Sequence, residues 1–182
     1  MKKIDYILQN ERIRQAKKYL VGDSILDIGC HNGELFESVL KKKNITGDGI
    51  DSVLSEVITK ENYTLFPGYF PQDFPIKKQY NNITFLAVLE HIPIEEIRKY
   101  PKILSDYLQS KGRVIITIPS KNVDYILSVL LFFKLIDGMD IEHHQDFDRN
   151  ELKKIFTENG FDLILEKRFE FGLNILFVFE KK

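Results

Sequence analysis

The chain has 182 residues, 43% hydrophobic and 29% charged, with 26 Lys plus Arg against 27 Asp plus Glu. A chain of this length and composition buries enough apolar surface to hold one core without disulfides or structural metal, which excludes disordered and cysteine-scaffold classes and favours a single domain over residues 1–182. A formal net charge of −1 supplies no global positive field, so nucleic acid is disfavoured as a partner.

Along residues 1–22, Ile4, Ile7, Leu8, Ile13 and Leu20 recur among charges at loosely helical spacing and predict an amphipathic N-terminal helix that stops at Gly22. Its basic residues (Lys2, Lys3, Arg12, Arg14, Lys17 and Lys18) read as a solvated helix face, with the edge of an anion site as the alternative. Residues 24–29 (SILDIG) form a short apolar strand running into glycine, and residues 33–43 a helix whose closing lysines complement the helix dipole. Residues 45–50 read as a second strand, 53–60 as a helix and 63–66 as a third strand, followed by the turn-rich stretch PGYFPQDFP.

Residues 82–88 are a near-continuous apolar run, as in parallel strands buried on both faces, and a helix over 94–109 follows Pro93. Residues 112–118 (GRVIITI) are the next strand, closed by Pro119. Helices over 123–136 and 150–159 precede two last strands, 161–169 and 174–180, which must pair antiparallel because only residues 171–173 join them. Strands alternating with helices at this pitch define an α/β fold with a mostly parallel sheet and right-handed crossovers.

The sharpest chemical signal is Asp27-Ile28-Gly29-Cys30-His31-Asn32-Gly33, between the first strand of the sheet and its helix. Glycine there lets the backbone approach a ligand closely, and ligands of open α/β sheets collect at the carboxyl ends of the strands. Asp51 ends the next strand, where a carboxylate accepts both hydroxyls of a ribose. The complete GxGxxG that seats a pyrophosphate on a helix N-terminus is missing, which demotes a nicotinamide dehydrogenase. Cys30, the only cysteine, has no intramolecular partner, and the N-terminus carries no apolar signal core; both suit the cytoplasm.

These residues resemble the class I S-adenosylmethionine-dependent methyltransferase family over about residues 23–182. Further family-like features stand in order: the loop over 68–75, Val88-Leu89-Glu90-His91-Ile92, Pro119-Ser120, His144-Gln145-Asp146-Phe147, Glu151-Leu152 and Asn159-Gly160-Phe161. The resemblance implies a Rossmann-like sheet of seven strands, the last antiparallel, with S-adenosylmethionine as cofactor and S-adenosylhomocysteine as product. It implies that Asp27 and Gly29 lie near the methionine moiety, Asp51 on the ribose, Tyr69 and Phe70 near the adenine, and the 87–89 backbone, Ala87 and Leu89 included, near the methionine amino group. Cys30, Gly33 and Ser52 complete the cofactor-binding set. His31 stands at the middle glycine position, Ala87 where relatives often carry a carboxylate, and Asn81 where many carry aspartate.

Methyl transfer from a sulfonium is an in-line displacement, so much of the rate comes from holding the acceptor within ~3–3.5 Å of the methyl group. A hydroxyl acceptor gains from a general base, which a neutral amine or thiolate does not need. The candidates are His144, then His143 and Glu90. Glu90, His91 and His144 are also similar to the metal-holding cluster of the family that 2′-O-methylates small RNA 3′ ends, but Ala87 leaves the first ligand position empty, and no metal site is assigned.

Residues 121–148 are expected to be a substrate-side insertion. The helix over 123–136 is apolar around most of its circumference, which suits a pocket wall, a homodimer face, a membrane-bound acceptor or burial in the core; a lysine at 134 interrupts it short of the ~20 residues that span a bilayer. The reading is a methyltransferase acting on O or N of a small-molecule, glycan or lipid-linked acceptor. The alternatives are a metal-dependent RNA 2′-O-methyltransferase and a non-catalytic methyltransferase-like partner subunit, the latter favoured by His31 and Ala87.

Overall fold

A computed structural model describes residues 3–40, 44–120 and 149–182. Helix α1 (Lys3–Ala16) continues as a single 3-10 turn to Tyr19. The strands are β1 (Ser24–Ile28), β2 (Thr46–Asp51), β3 (Ile58–Thr59), β4 (Tyr63–Pro67), β5 (Tyr80–Leu86), β6 (Leu108–Pro119), β7 (Phe161–Phe169) and β8 (Asn174–Lys181). Between them lie α2 (Glu34–Leu40), α3 (Ile94–Ile97), α4 (Tyr100–Tyr107) and α5 (Arg149–Thr157).

The sheet runs β3-β4-β2-β1-β5-β6-β8-β7. β1 pairs parallel with β2 and β5, β2 with β4, and β5 with β6. β8 lies antiparallel between β6 and β7, as the short turn before it requires. The sheet therefore has 8 strands where seven were expected, the extra one being the two-residue β3 at the edge, antiparallel to β4.

Alternation along the strands sorts the core into two layers. Leu26, Ile83, Phe85, Ile116, Phe177 and Phe179 face Leu104 of α4 and Leu152 and Phe156 of α5. Their neighbours Ile25, Ile115, Leu176 and Val178 face Ile13 and Ala16 of α1 and Phe36 and Val39 of α2.

Two asparagines lock the start of β1. Fully buried Asn82 accepts from Val21 N at 3.0 Å and donates to the Val21 and Ser24 carbonyls at 2.6 and 3.2 Å. Asn81 Oδ1 accepts from Asp23 N, Ser24 N and Ser24 Oγ at 3.0, 3.1 and 2.9 Å, so an aspartate at this position is unnecessary for the clamp.

Two predicted helices are corrected. Residues 53–60 form turns and β3 instead of a helix, because Asp51 captures the segment's start: Val53 N donates to its carboxylate at 3.0 Å and Leu54 N to its carbonyl at 3.3 Å. The helix over 94–109 is split into α3 and α4, and residues 108–110 join β6. Pro101 has no N–H to give the Ile97 carbonyl and enters instead in the first turn of α4, where none is needed. The predicted helix over 123–136, its dimer face and the substrate-side insertion over 121–148 lie outside the described residues.

Candidate active site

The ends of β1, β2, β4 and β5, together with α1 and the segment from α3 to α4, enclose a cavity of about 1060 Å³. Its floor is the loop after β1. Gly29 has φ 77°, and a Cβ there would stand 2.2 Å from Val88 Cγ2, so the β5 loop closes against bare backbone. The Gly29 N–H donates to the Ile50 carbonyl at 2.9 Å, which ties the loop to β2.

Asp51 at the end of β2 is held by main-chain donors on both oxygens: His31 N on Oδ2 at 2.7 Å and Val53 N on Oδ1 at 3.0 Å. A carboxylate offers about four acceptor sites, so Asp51 keeps capacity for two ligand hydroxyls in a fixed orientation. Asp27 is buried at the end of β1, its Oδ1 accepting from Thr84 Oγ1 at 2.5 Å. Burial pushes its carboxyl up to about 7, against the lowering by Thr84, and the nearby charges of Asp51 and Glu34 push the same way.

His31 takes a left-handed backbone, φ 46°, in the glycine position, and its ring turns out onto α2, with Nδ1 2.7 Å from Glu34 Oε1. His31 and Glu34 both line the cavity. Ala87 also has positive φ, 61°, and its N–H donates to the Thr117 carbonyl at 3.0 Å.

Of the predicted cofactor residues, Asp27, Gly29, Cys30, Asp51, Ser52, Tyr69, Phe70 and Ala87 line the cavity. Gly33 and Leu89 are not among the lining residues; Gly33 packs on Tyr63 and Leu65, and Leu89 is fully buried. Tyr69 is 69% exposed at the rim, whereas the Phe70 ring is buried against Phe74, Tyr100 and Tyr107. Cys30 is buried, and desolvation pushes its thiol up, away from nucleophile chemistry.

Glu90 is 8% exposed and does not line the cavity, although its neighbours Val88 and His91 do. Burial pushes its carboxyl up to about 7, opposed by Arg12. His143 and His144 lie outside the described residues, and with them the grouping of Glu90, His91 and His144; no set of three His, Cys, Asp or Glu side chains among the described residues is placed to hold a metal. Arg12 was read mainly as part of a solvated face, yet it lines the cavity with Gln9 and Ile13, and its Nε is buried.

The methyltransferase domain family model matches residues 2–166, and the chain belongs to that family, the class named by the sequence resemblance. No curated protein sequence matches it. Among solved structures, magnesium protoporphyrin IX methyltransferase from Synechocystis PCC 6803, with bound S-adenosylhomocysteine, is 18% identical with a TM-score of 0.66, covering 96% of this chain and 82% of its own. The glycopeptide N-methyltransferase MtfA, complexed with S-adenosylmethionine, is 12% identical with a TM-score of 0.69, covering 96% and 94%. The 1,6-didemethyltoxoflavin-N1-methyltransferase of Burkholderia thailandensis, with bound 1,6-didemethyltoxoflavin and S-adenosylhomocysteine, is 14% identical with a TM-score of 0.68, covering 96% and 78%. At these identities the likeness establishes the fold.

Proposed function

We propose that the protein binds S-adenosylmethionine in this cavity and methylates O or N of a small-molecule acceptor, glycan- and lipid-linked ones included. The observation that carries the reading is the acidic end of the cavity: Asp51 and Glu34 add their negative charge to that of Asp27 beside the glycine loop. S-adenosylmethionine fits this donor set, because its sulfonium and ammonium outweigh its one carboxylate and its ribose offers a diol. When bound, it supplies a methyl group already activated by the sulfonium.

Asp51, oriented by two main-chain donors, receives the ribose hydroxyls. Asp27 gives the ammonium region a counter-charge, and the Thr84 hydroxyl stops its carboxylate from swinging away. Tyr69, exposed at the rim, covers the adenine end. Ala87 and Val88 bring the β5 loop to the methionine end. Their work is positioning, which is the main demand of an in-line transfer.

These neighbours are named for a porphyrin, a glycopeptide and 1,6-didemethyltoxoflavin, which supports a small-molecule acceptor here. No helix among the described residues is long and apolar enough to cross a membrane. We place the protein in the cytoplasm on the separate ground that its one cysteine is a buried free thiol. Calorimetric titration with S-adenosylmethionine and S-adenosylhomocysteine tests the reading. Binding in the micromolar range is expected, and absence of binding to both refutes it.

A further inference from the structure

The cavity volume of about 1060 Å³ stands at the top of the roughly 300–1,000 Å³ range of small-molecule pockets, which leaves room for an acceptor beside the proposed cofactor. The strand order separates the two. The acidic residues of the proposed cofactor site come from the ends of β1 and β2, and the charges that act on Asp27 are those of Asp51 and Glu34. Among the described basic residues of α1 and its 3-10 turn, only Arg12 lines the cavity, and the acids that feel its charge are Glu90, after β5, and Glu170, before β8. Across the order β4-β2-β1-β5-β6-β8, Arg12 therefore serves the half of the cavity away from Asp51.

The Arg12 Nε is buried and has no hydrogen-bond partner among the described residues, which is rare for a buried polar atom. A guanidinium stays charged at any pH the fold meets, whereas a buried carboxyl can take up a proton. Its acidic neighbours lean that way: burial holds the Glu90 carboxyl up at about 7 and raises that of Glu170, so neither is a full counter-charge near neutral pH. Lys99, which also lines the cavity, differs, because Glu96 Oε1 lies 2.7 Å from its Nζ. Gln9 lines the wall three residues before Arg12, on the same face of α1, and adds a neutral N–H donor. We propose that Gln9 and Arg12 form a carboxylate-binding subsite that selects an acceptor carrying an acid group, held there while another atom of the same molecule faces the methyl group. The proposal goes beyond the methyltransferase reading above and rests on it. A carboxylate matches one guanidinium in charge and accepts two parallel N–H bonds from its fork, whereas an amide brings no charge and an ammonium is repelled. An acid anchored away from the reacting atom fixes the acceptor at a second point, which serves the alignment that an in-line transfer demands.

The test uses the full chain, with and without saturating S-adenosylhomocysteine, and three matched probes: benzoate, benzamide and benzylamine, titrated by ligand-observed NMR. Benzoate is expected to bind the loaded chain about tenfold or more tightly than the other two, and Arg12→Met to weaken it by about tenfold or more, with Arg12→Lys between. Gln9→Glu, which sets a negative charge on the same wall, is expected to weaken benzoate as well, and it carries the comparison should Arg12→Met fail to fold. In Arg12→Met, affinities for S-adenosylhomocysteine and for 5′-methylthioadenosine, which lacks the amino-acid carboxylate, are expected to stay within about twofold of wild type. If Arg12→Met loses S-adenosylhomocysteine affinity and keeps that for 5′-methylthioadenosine, Arg12 takes the cofactor's own carboxylate and the proposal is overturned. No benzoate binding, equal binding of benzamide, preferred binding of benzylamine, or benzoate binding indifferent to the variants overturns it too. Arg12-dependent benzoate binding to a chain that binds neither nucleoside supports the subsite and refutes the cofactor reading instead.

Discussion

The His31 main-chain N–H donates to Asp51 Oδ2 at 2.7 Å, so the loop that ends β1 and the carboxylate that ends β2 form one rigid unit. The non-glycine residue at left-handed φ is thereby held in place by the acid that is proposed to bind the ribose.

Asp51→Ala removes that carboxylate and both of its main-chain bonds. Hydrogen bonds to a charged group contribute about 1.5–3 kcal/mol each, so cofactor affinity is expected to fall by about tenfold to a hundredfold or more. Asp51→Asn, which retains one acceptor oxygen, should fall between wild type and Asp51→Ala. Calorimetric titration of S-adenosylhomocysteine orders the three proteins, and equal affinities would separate Asp51 from the cofactor.

Asp27 links pH to both stability and binding. Its carboxyl is raised to about 7 in the folded chain, above the ~3.9 of an unfolded aspartate, so the folded state holds a proton that the unfolded state releases. That contribution to stability is complete below the unfolded value and is lost as pH rises through about 7. Glu90, raised to about 7, acts with the same sign. The melting temperature of the ligand-free protein is therefore expected to fall between about pH 4 and 7, and Asp27→Asn should flatten the slope. Cofactor binding runs the other way, because a net-positive ligand prefers the ionised acid and tightens over the same interval. A scanning calorimetry series with and without S-adenosylmethionine checks both signs.

Much of this was legible in the sequence because local signals and tertiary context agreed. The 24–29 strand, the glycine turn and Asp51 declare themselves through apolar runs closed by glycine or acid, and the structure places Asp27, Gly29 and Asp51 on one cavity. The helix predicted over 94–109 failed at Pro101, whose missing N–H outweighed the apolar periodicity around it. The helix over 53–60 failed because the Asp51 side chain captured the first turn, a local competition that hydrophobic spacing does not register. Arg12 reads as part of a solvated face because local spacing does not register that α1 packs beside the strand ends, where Arg12 lines the cavity.

Asn82 tests whether the site depends on the clamp at the opposite end of β1. Fully buried, it makes three main-chain bonds, and Asn82→Ala leaves Val21 N and two carbonyls without them. Stranded buried groups cost about 1–3 kcal/mol each, and partial access to water on this loop brings the expected loss to about 2–4 kcal/mol in urea unfolding. Cofactor affinity at a temperature where the variant stays folded should remain near wild type, since the clamp sits at the amino end of the strand and the proposed cofactor cavity at its carboxyl end.

Tyr69 and Phe70 are adjacent in the chain but occupy opposite environments, so they separate binding from folding. Tyr69 is 69% exposed at the cavity rim, and Tyr69→Ala should leave the melting temperature unchanged while weakening cofactor binding by about 1 kcal/mol, the scale of one lost aromatic contact. Phe70 is 6% exposed and meets the rings of Phe74, Tyr100 and Tyr107 at centroid distances of 5.9, 6.2 and 5.3 Å. Phe70→Ala should cost about 3–5 kcal/mol of stability, because it removes a core ring whose partners come from α4 and the β4 loop and cannot close the gap. If Tyr69→Ala destabilised the fold, or left cofactor affinity untouched, the adenine would have to lie elsewhere along the cavity. Parallel thermal melts and titrations of the two variants decide the point, because a ring that covers the ligand affects only the titration and a ring that fills the core affects the melt first.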